Sequence, residues 1–195
     1  MPSTVTRLMI PLVLALTPAC AAAASQVQTA PPAPTPRPPY RIGAVTVVSG
    51  DVSQGGTLTI PEGPGLFPAV VLIPGDAALN SHIADQLTRK GVVVFRYDGT
   101  GTGDTLAAVA HLKSMATLDP RRIGVLGHGQ GAAPAMAAGA GSPDVAFVVT
   151  LGSPVAPAGT IAIPVFADPE ARIPSARLLS DLAAWILSTP RRSPK

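Results

Sequence analysis

Side chains that could do chemistry are few in this sequence of 195 residues, and the best placed follow short apolar runs. Asp76 comes after Ala69–Ile73, Thr100 after Val92–Tyr97, and His128 after Ile123–Leu126. Ser153 comes after Val145–Leu151, and Glu170, with Asp168 beside it, after Ile161–Phe166. A hydroxyl and carboxylates in such places suit nucleophilic or acid–base work, provided that a base stands near the nucleophile. Metal chemistry is a poor fit. His82, His111 and His128 are far apart with no ligand spacing, and Cys20 is the single cysteine. No intramolecular disulfide or multi-cysteine zinc site can form, and no cofactor is expected.

Composition narrows the partners. Hydrophobic residues make up 47% and charged residues 13%, which fits a buried core and not a disordered chain. Of the formal charge of +3, Arg191, Arg192 and Lys195 lie in a short C-terminal stretch, so the remainder is near neutral. With only 4% aromatics, nucleic-acid binding is not expected.

The first 25 residues read as a secretory signal. Arg7 supplies the positive start, Leu8–Leu16 an apolar run too short to span a bilayer, and Ala19 to Ala24 small residues for cleavage. Cys20 leaves two readings open: removal with the signal, or lipidation as in a lipoprotein, although Leu16 stands one position too far back for the latter. Export is expected either way, to the periplasm, the medium or a lipid-anchored place in the cell envelope. Residues 26–40 are proline-rich and read as an extended spacer. The folded domain is expected over 41–190, with 191–195 as a basic tail.

Stepping along that domain, Ile42–Val48 and Gly56–Ile60 read as a strand pair. Ala69–Ile73, Val92–Tyr97, Ile123–Leu126 and Val145–Leu151 read as central strands buried on both faces, and Ile161–Phe166 as a fifth. Helices are predicted over Asn80–Lys90, Asp104–Met115, Gln130–Ala140 and Ser175–Leu187. The first has Asn80 or Ser81 as its cap and Gly91 as its stop. Leu106, Val109 and Ala110 mark the core face of the second, and Leu178, Leu182 and Trp185 that of the last. This alternation implies an α/β fold with a mostly parallel central sheet and helices on both faces. Ligands bind such sheets beyond the carboxyl ends of the strands.

The segment Ile123-Gly124-Val125-Leu126-Gly127-His128-Gly129-Gln130-Gly131 is a strand, a sharp glycine turn and a helix start. It resembles the G-x-S-x-G nucleophile elbow of α/β-hydrolases, with Gly129 where the serine stands. Arg96-Tyr97-Asp98-Gly99-Thr100-Gly101-Thr102-Gly103 is similar to the R-Y-D-x-R-G-x-G loop of the bacterial acyl-esterase and prolyl-oligopeptidase-like branches. Val71–Asn80 resembles their oxyanion loop, Leu118–Ile123 the lead-in to the elbow, and Ser142–Val149 the strand after it. The resemblance covers residues 43–155 and implies a shortened α/β-hydrolase-like sandwich.

It also implies roles, and the departures from the family pattern empty most of them. Gly129 has no side chain to act as nucleophile. No histidine follows His128, although the family's triad runs Ser, acid, His. The usual last strand with its histidine loop is not seen after the final helix, nor is an inserted cap. His128 then lines the pocket as a packing residue. Glu170 would take the acid position, or else be a solvated carboxylate paired with Arg172. The backbone N–H groups of Gln130 and of the Gly75–Asp76 loop would be oxyanion donors, with the Asp76 carboxylate opposing them unless it points away or is protonated. Thr100 replaces the loop arginine and removes a polar anchor. Ser153 could face the same crevice as a substitute nucleophile without a visible base.

Three functions remain open at this stage. The first is a non-catalytic protein of the cell envelope that binds a small ligand or an envelope protein. The second is an ester or amide hydrolase with a substituted mechanism through Ser153, Asp76 or Glu170. The third is a decayed or truncated hydrolase. The sheet edge left by the missing last strand would offer a homodimer contact. Contact with a membrane is expected only through a lipid on Cys20.

Overall fold

The computed structural model describes residues 38–73, 75–97, 99, 101–151, 165–166 and 174–191. Residues 1–37, where the sequence suggests a signal and a spacer, and the last four residues lie outside them.

A single mixed sheet carries the fold. Its strands are β1 (Tyr40–Ser49), β2 (Val52–Pro61), β3 (Phe67–Leu72), β4 (Val93–Tyr97), β5 (Leu118–His128), β6 (Val148–Leu151) and β7 (Val165–Phe166). The spatial order is β1-β2-β4-β3-β5-β6-β7. β1 pairs antiparallel with β2, and β2 with β4, whereas every pair from β4 to β7 is parallel. Among the described residues four α-helices cover the sheet: α1 (Ala77–Arg89), α2 (Thr102–Lys113), α3 (Ala132–Gly141) and α4 (Ala176–Ser188).

Both faces of the central strands are buried, which is why those strands read as continuous apolar runs rather than alternating ones. In β3, Ala69 and Val71 point into one core, shared with Ala108, Val109 and Leu112 of α2 and with Ala135 and Ala138 of α3. Val70 and Leu72 point into the other, shared with Leu79, Ile83 and Leu87 of α1 and with Leu179, Leu182 and Ile186 of α4. The two cores place two helices on each face.

Several boundaries differ from the sequence expectation. α1 starts at Ala77, earlier than predicted, because the Asp76 carboxylate accepts a hydrogen bond from Leu79 N at 2.8 Å and caps the helix. Asn80 and Ser81 are therefore inside the first turns. Gly91, at φ +96°, does stop the helix, and its N–H donates to Thr88 O at 3.0 Å. In α2, Thr105, Ala108, Val109 and Leu112 are buried, while Ala110 is exposed. In α4 the buried stripe is Leu179, Leu182, Ala183 and Ile186, with Leu178 and Trp185 half-buried at its margins. β5 begins five residues before the predicted Ile123. Its pairing with β3 slips between Phe67↔Leu118 and Ala69↔Ile123, so Asp119–Arg122 bulge from the ladder.

That bulge anchors the end of the chain. Arg122 donates through Nη2 to Ile186 O at 2.8 Å and also to Leu187 O, binding the carbonyl end of α4. The Asp119 carboxyl is 2% exposed and accepts from Arg191 Nε at 2.7 Å and from Arg121 N at 3.1 Å. Arg191, the residue at which the sequence places the start of a basic tail, is thus tied to the sheet.

Burial works against the Asp119 charge, but the Arg121 N–H and the Arg191 guanidinium outweigh it, and its pKa falls below the usual value. A carboxyl depressed in the fold adds stability above the ordinary carboxylate pKa and loses it as pH falls through the folded value. Arg191→Ala should therefore cost about 1 kcal/mol near neutrality, because the arginine is half exposed and the pair is partly screened. It should also move the acid-unfolding midpoint upward. Urea melts from pH 3 to pH 7 check this; parallel wild-type and variant curves would refute the contribution.

Candidate active-site crevice

The parallel register brings the candidate residues to one edge of the sheet. Leu72 lies level with Arg96 on β4 and with Leu126 on β5. His128 lies level with Leu151 on β6, and Leu151 with Phe166 on β7. The loops after all five strands therefore start from the same carboxyl-terminal edge, where open α/β sheets bind their ligands.

Two glycines of the elbow have different duties. At Gly127 an added Cβ would stand 2.1 Å from Gly131 O and 2.5 Å from Gly131 C, so strand and helix meet here only because the side chain is absent. Gly129 has φ +54°, in the left-handed region where glycine is tolerated cheaply. An added Cβ at Gly129 would meet nothing within 4 Å. The turn itself is a short 3-10 helix, Gly129–Gly131, that runs directly into α3. The small residues Ala132, Ala135, Ala138 and Gly139 form the buried face of α3 and let it lie close to the sheet.

Around this turn, Gly129 and Gln130 are exposed and His128 is half-buried. The N–H of Gln130 precedes Ala132 N, which donates back to Gly129 O and closes the turn. The Gln130 N–H is thus among the groups that a helix start leaves without an internal partner. Ile73 N donates to Leu126 O at 2.9 Å, which sets the β3–α1 loop beside the elbow. Gly75 and Asp76 follow in that loop and are exposed. The Asp76 carboxylate is engaged in capping α1. Its partner there is Leu79 N, within the helix that it starts. Thr100, Ser153, Asp168 and Glu170, like Cys20, lie outside the described residues. No group of three or more His, Cys, Asp or Glu is clustered for a metal ion among the described residues.

Sequence reasoning passed over three residues that shape this edge. Tyr97 and Thr105 share a hydrogen bond at 2.6 Å, and Thr105 Oγ1 donates to Gly101 O at 3.1 Å. Since the threonine proton goes to Gly101, the tyrosine donates to the threonine. Burial pushes the Tyr97 hydroxyl above its ordinary pKa, so it remains a donor near neutrality. This relay pins the loop after β4 to α2. The visible clue was a threonine four residues after Gly101, one helical turn on. Gln54 of β2 is the third. An added Cβ at Gly99 would stand 2.1 Å from its Oε1, so the amide occupies the room that glycine leaves at the rim.

No protein-family model matches the chain. Over 145 residues it is 32% identical to the bis(hydroxyethyl) terephthalate hydrolase of Streptomyces coelicolor, a match covering 62% of this chain and 47% of that protein. Its structure is similar to dienelactone hydrolase from Anabaena variabilis, with a TM-score of 0.53 and 22% identity over 58% of this chain and 64% of that one. It is also similar to Est1E from Butyrivibrio proteoclasticus, with a TM-score of 0.51 and 22% identity over 56% of this chain and 51% of that one. The chain spans about half the length of the curated relative it matches.

Proposed function

We infer that this chain, whose fold is a shortened form of the α/β-hydrolase fold, binds a small ligand or a protein partner at its elbow crevice and does not perform serine-type hydrolysis there. The observation that carries this reading is residue 129. The turn has the left-handed backbone that a nucleophile elbow needs, and its tip has no side chain. Nucleophilic acyl transfer requires an activated side-chain atom at that tip. Removing the nucleophile of a serine-hydrolase triad costs on the order of 10^6 in kcat, leaving only what binding and oxyanion donors supply. Export to the cell envelope is part of the proposal and rests on the N-terminal sequence pattern alone.

Purified protein is expected to show no labelling by a fluorophosphonate probe and background turnover of short p-nitrophenyl esters. Stoichiometric labelling, mapped to any residue, would overturn the reading.

One observation favours a second reading: the 32% identity to a terephthalate-ester hydrolase. Under it, ester cleavage would proceed by a substituted mechanism through Ser153, Glu170 or Asp76. Asp76 is the least suited, because its carboxylate is committed to Leu79 N. Ester turnover that falls in a Ser153→Ala or Glu170→Ala variant would favour this reading over the first.

A further inference from the structure

We propose that β1 is a self-association edge, at which two copies of this chain pair antiparallel to make one continuous sheet. β1 stands first in the strand order, and its register with β2 runs without a break from Tyr40↔Pro61 to Ser49↔Val52. Among the described residues the edge carries little of the usual protection: the ten residues YRIGAVTVVS contain no proline, no lysine and no bulge, and Arg41 is their single charge. Ile42 is 59% exposed and Val48 65% exposed. The strand is anchored at its start, where Tyr40 donates to Asp85 Oδ1 at 2.7 Å and the Arg89 guanidinium stands 5.8 Å over the Tyr40 ring.

The choice of a second copy follows from register. Gly50, at φ +60°, and Asp51 form a two-residue hairpin turn between Ser49 and Val52. Residues flanking such a turn exchange both ladder bonds, so the odd-numbered residues of β1 direct their backbone groups to β2. The even-numbered residues direct theirs outward. A two-fold axis at Val45 pairs even with even: Ile42 with Val48 of the other copy, and Ala44 with Thr46. The two most exposed apolar side chains of the strand thereby cover each other twice. The same register sets Arg41 opposite Ser49 and beside the Asp51 turn of the other copy. Arg41 and Asp51 are both exposed and have no ion-pair partner among the described residues, so their charges complement across the axis. This proposal is independent of the reading at Gly129.

Sedimentation equilibrium of the full chain is expected to give a dimer at micromolar concentration. Ile42→Lys and Val48→Glu, both at exposed positions, should each weaken it by roughly tenfold, since each introduces a charge against an apolar partner twice. The double variant places lysine against glutamate in the proposed register and should recover the dimer. Unchanged far-UV circular dichroism would show that the variants fold. A wild type that is monomeric, a dimer indifferent to both single variants, or a double variant no tighter than the singles would each overturn the proposal.

Discussion

Gly127→Ala should cost about 3 kcal/mol, at the upper end of what overpacking a tight interior usually costs. The methyl group would fall 2.1 Å from Gly131 O and 2.9 Å from Ala132 Cα. These are backbone atoms, so no side-chain rotation relieves the contact. Either β5 and α3 separate or the elbow changes course. For a domain of this size the loss corresponds to roughly 6–12 °C in Tm. Gly129→Ala is the matched comparison. It sits two residues away in the same turn, meets nothing within 4 Å, and pays only for a left-handed backbone at φ +54°. That cost is about 1–2 kcal/mol. Urea and thermal melts of the two variants test the assignment of duties within the elbow. Equal losses, or a larger loss at 129, would mean that strand and helix do not approach as described.

Phe147→Ala should be at least as damaging, costing about 3–5 kcal/mol. Its ring is fully buried and fills the notch over Gly124, where an added Cβ would stand 2.2 Å from Phe147 Cε2. It also meets Trp185 of α4 edge-on, with centroids 5.5 Å apart. Aromatic pairs in that geometry add about 0.5–1.5 kcal/mol beyond burial. The backbone of the same residue accepts from Val125 N at 3.0 Å, so the ring and the strand beside the elbow are held together. Gly124→Ala alone should also destabilise, because the ring has no room to retreat. Combined with Phe147→Leu, it should cost less than the sum of the two single changes, as expected for residues sharing one space. Additive losses would show that the notch and the ring are not complementary.

These two positions also show where local sequence patterns stop. Gly124 and Gly127 look alike in the sequence, each a glycine within or just beyond an apolar run. One is required by an aromatic ring 23 residues later, the other by a helix that begins five residues later. Periodicity does not reveal the difference, because it depends on what packs against each Cα. The same limit explains the Asp119 and Arg191 pair. Seventy-two residues separate them, and Arg191 is indistinguishable in composition from the basic residues that follow it. The cap of α1 differs from the expected one for a smaller reason: Asn80, Ser81 and Asp76 all have capping side chains, and apolar spacing alone favours the later start. The Asn80 side chain is instead buried, with Nδ2 3.5 Å from Ile73 O.

Sequence alone established the doubly apolar strands, the order of strands and helices, and a glycine at the tip of the turn after β5. Those features are local: hydrophobic runs report burial on both faces, and a missing side chain is missing in any fold. Tertiary structure decided which strands are neighbours and at what register, and hence that the loops after β3, β4 and β5 open at one edge. It also decided that the backbone at Gly129 is left-handed with open space beside it, and that β1 is the exposed border of the sheet. Parallel pairing joins residues distant in the chain, so its register is fixed by packing from both faces of the sheet and has no signature in any single segment.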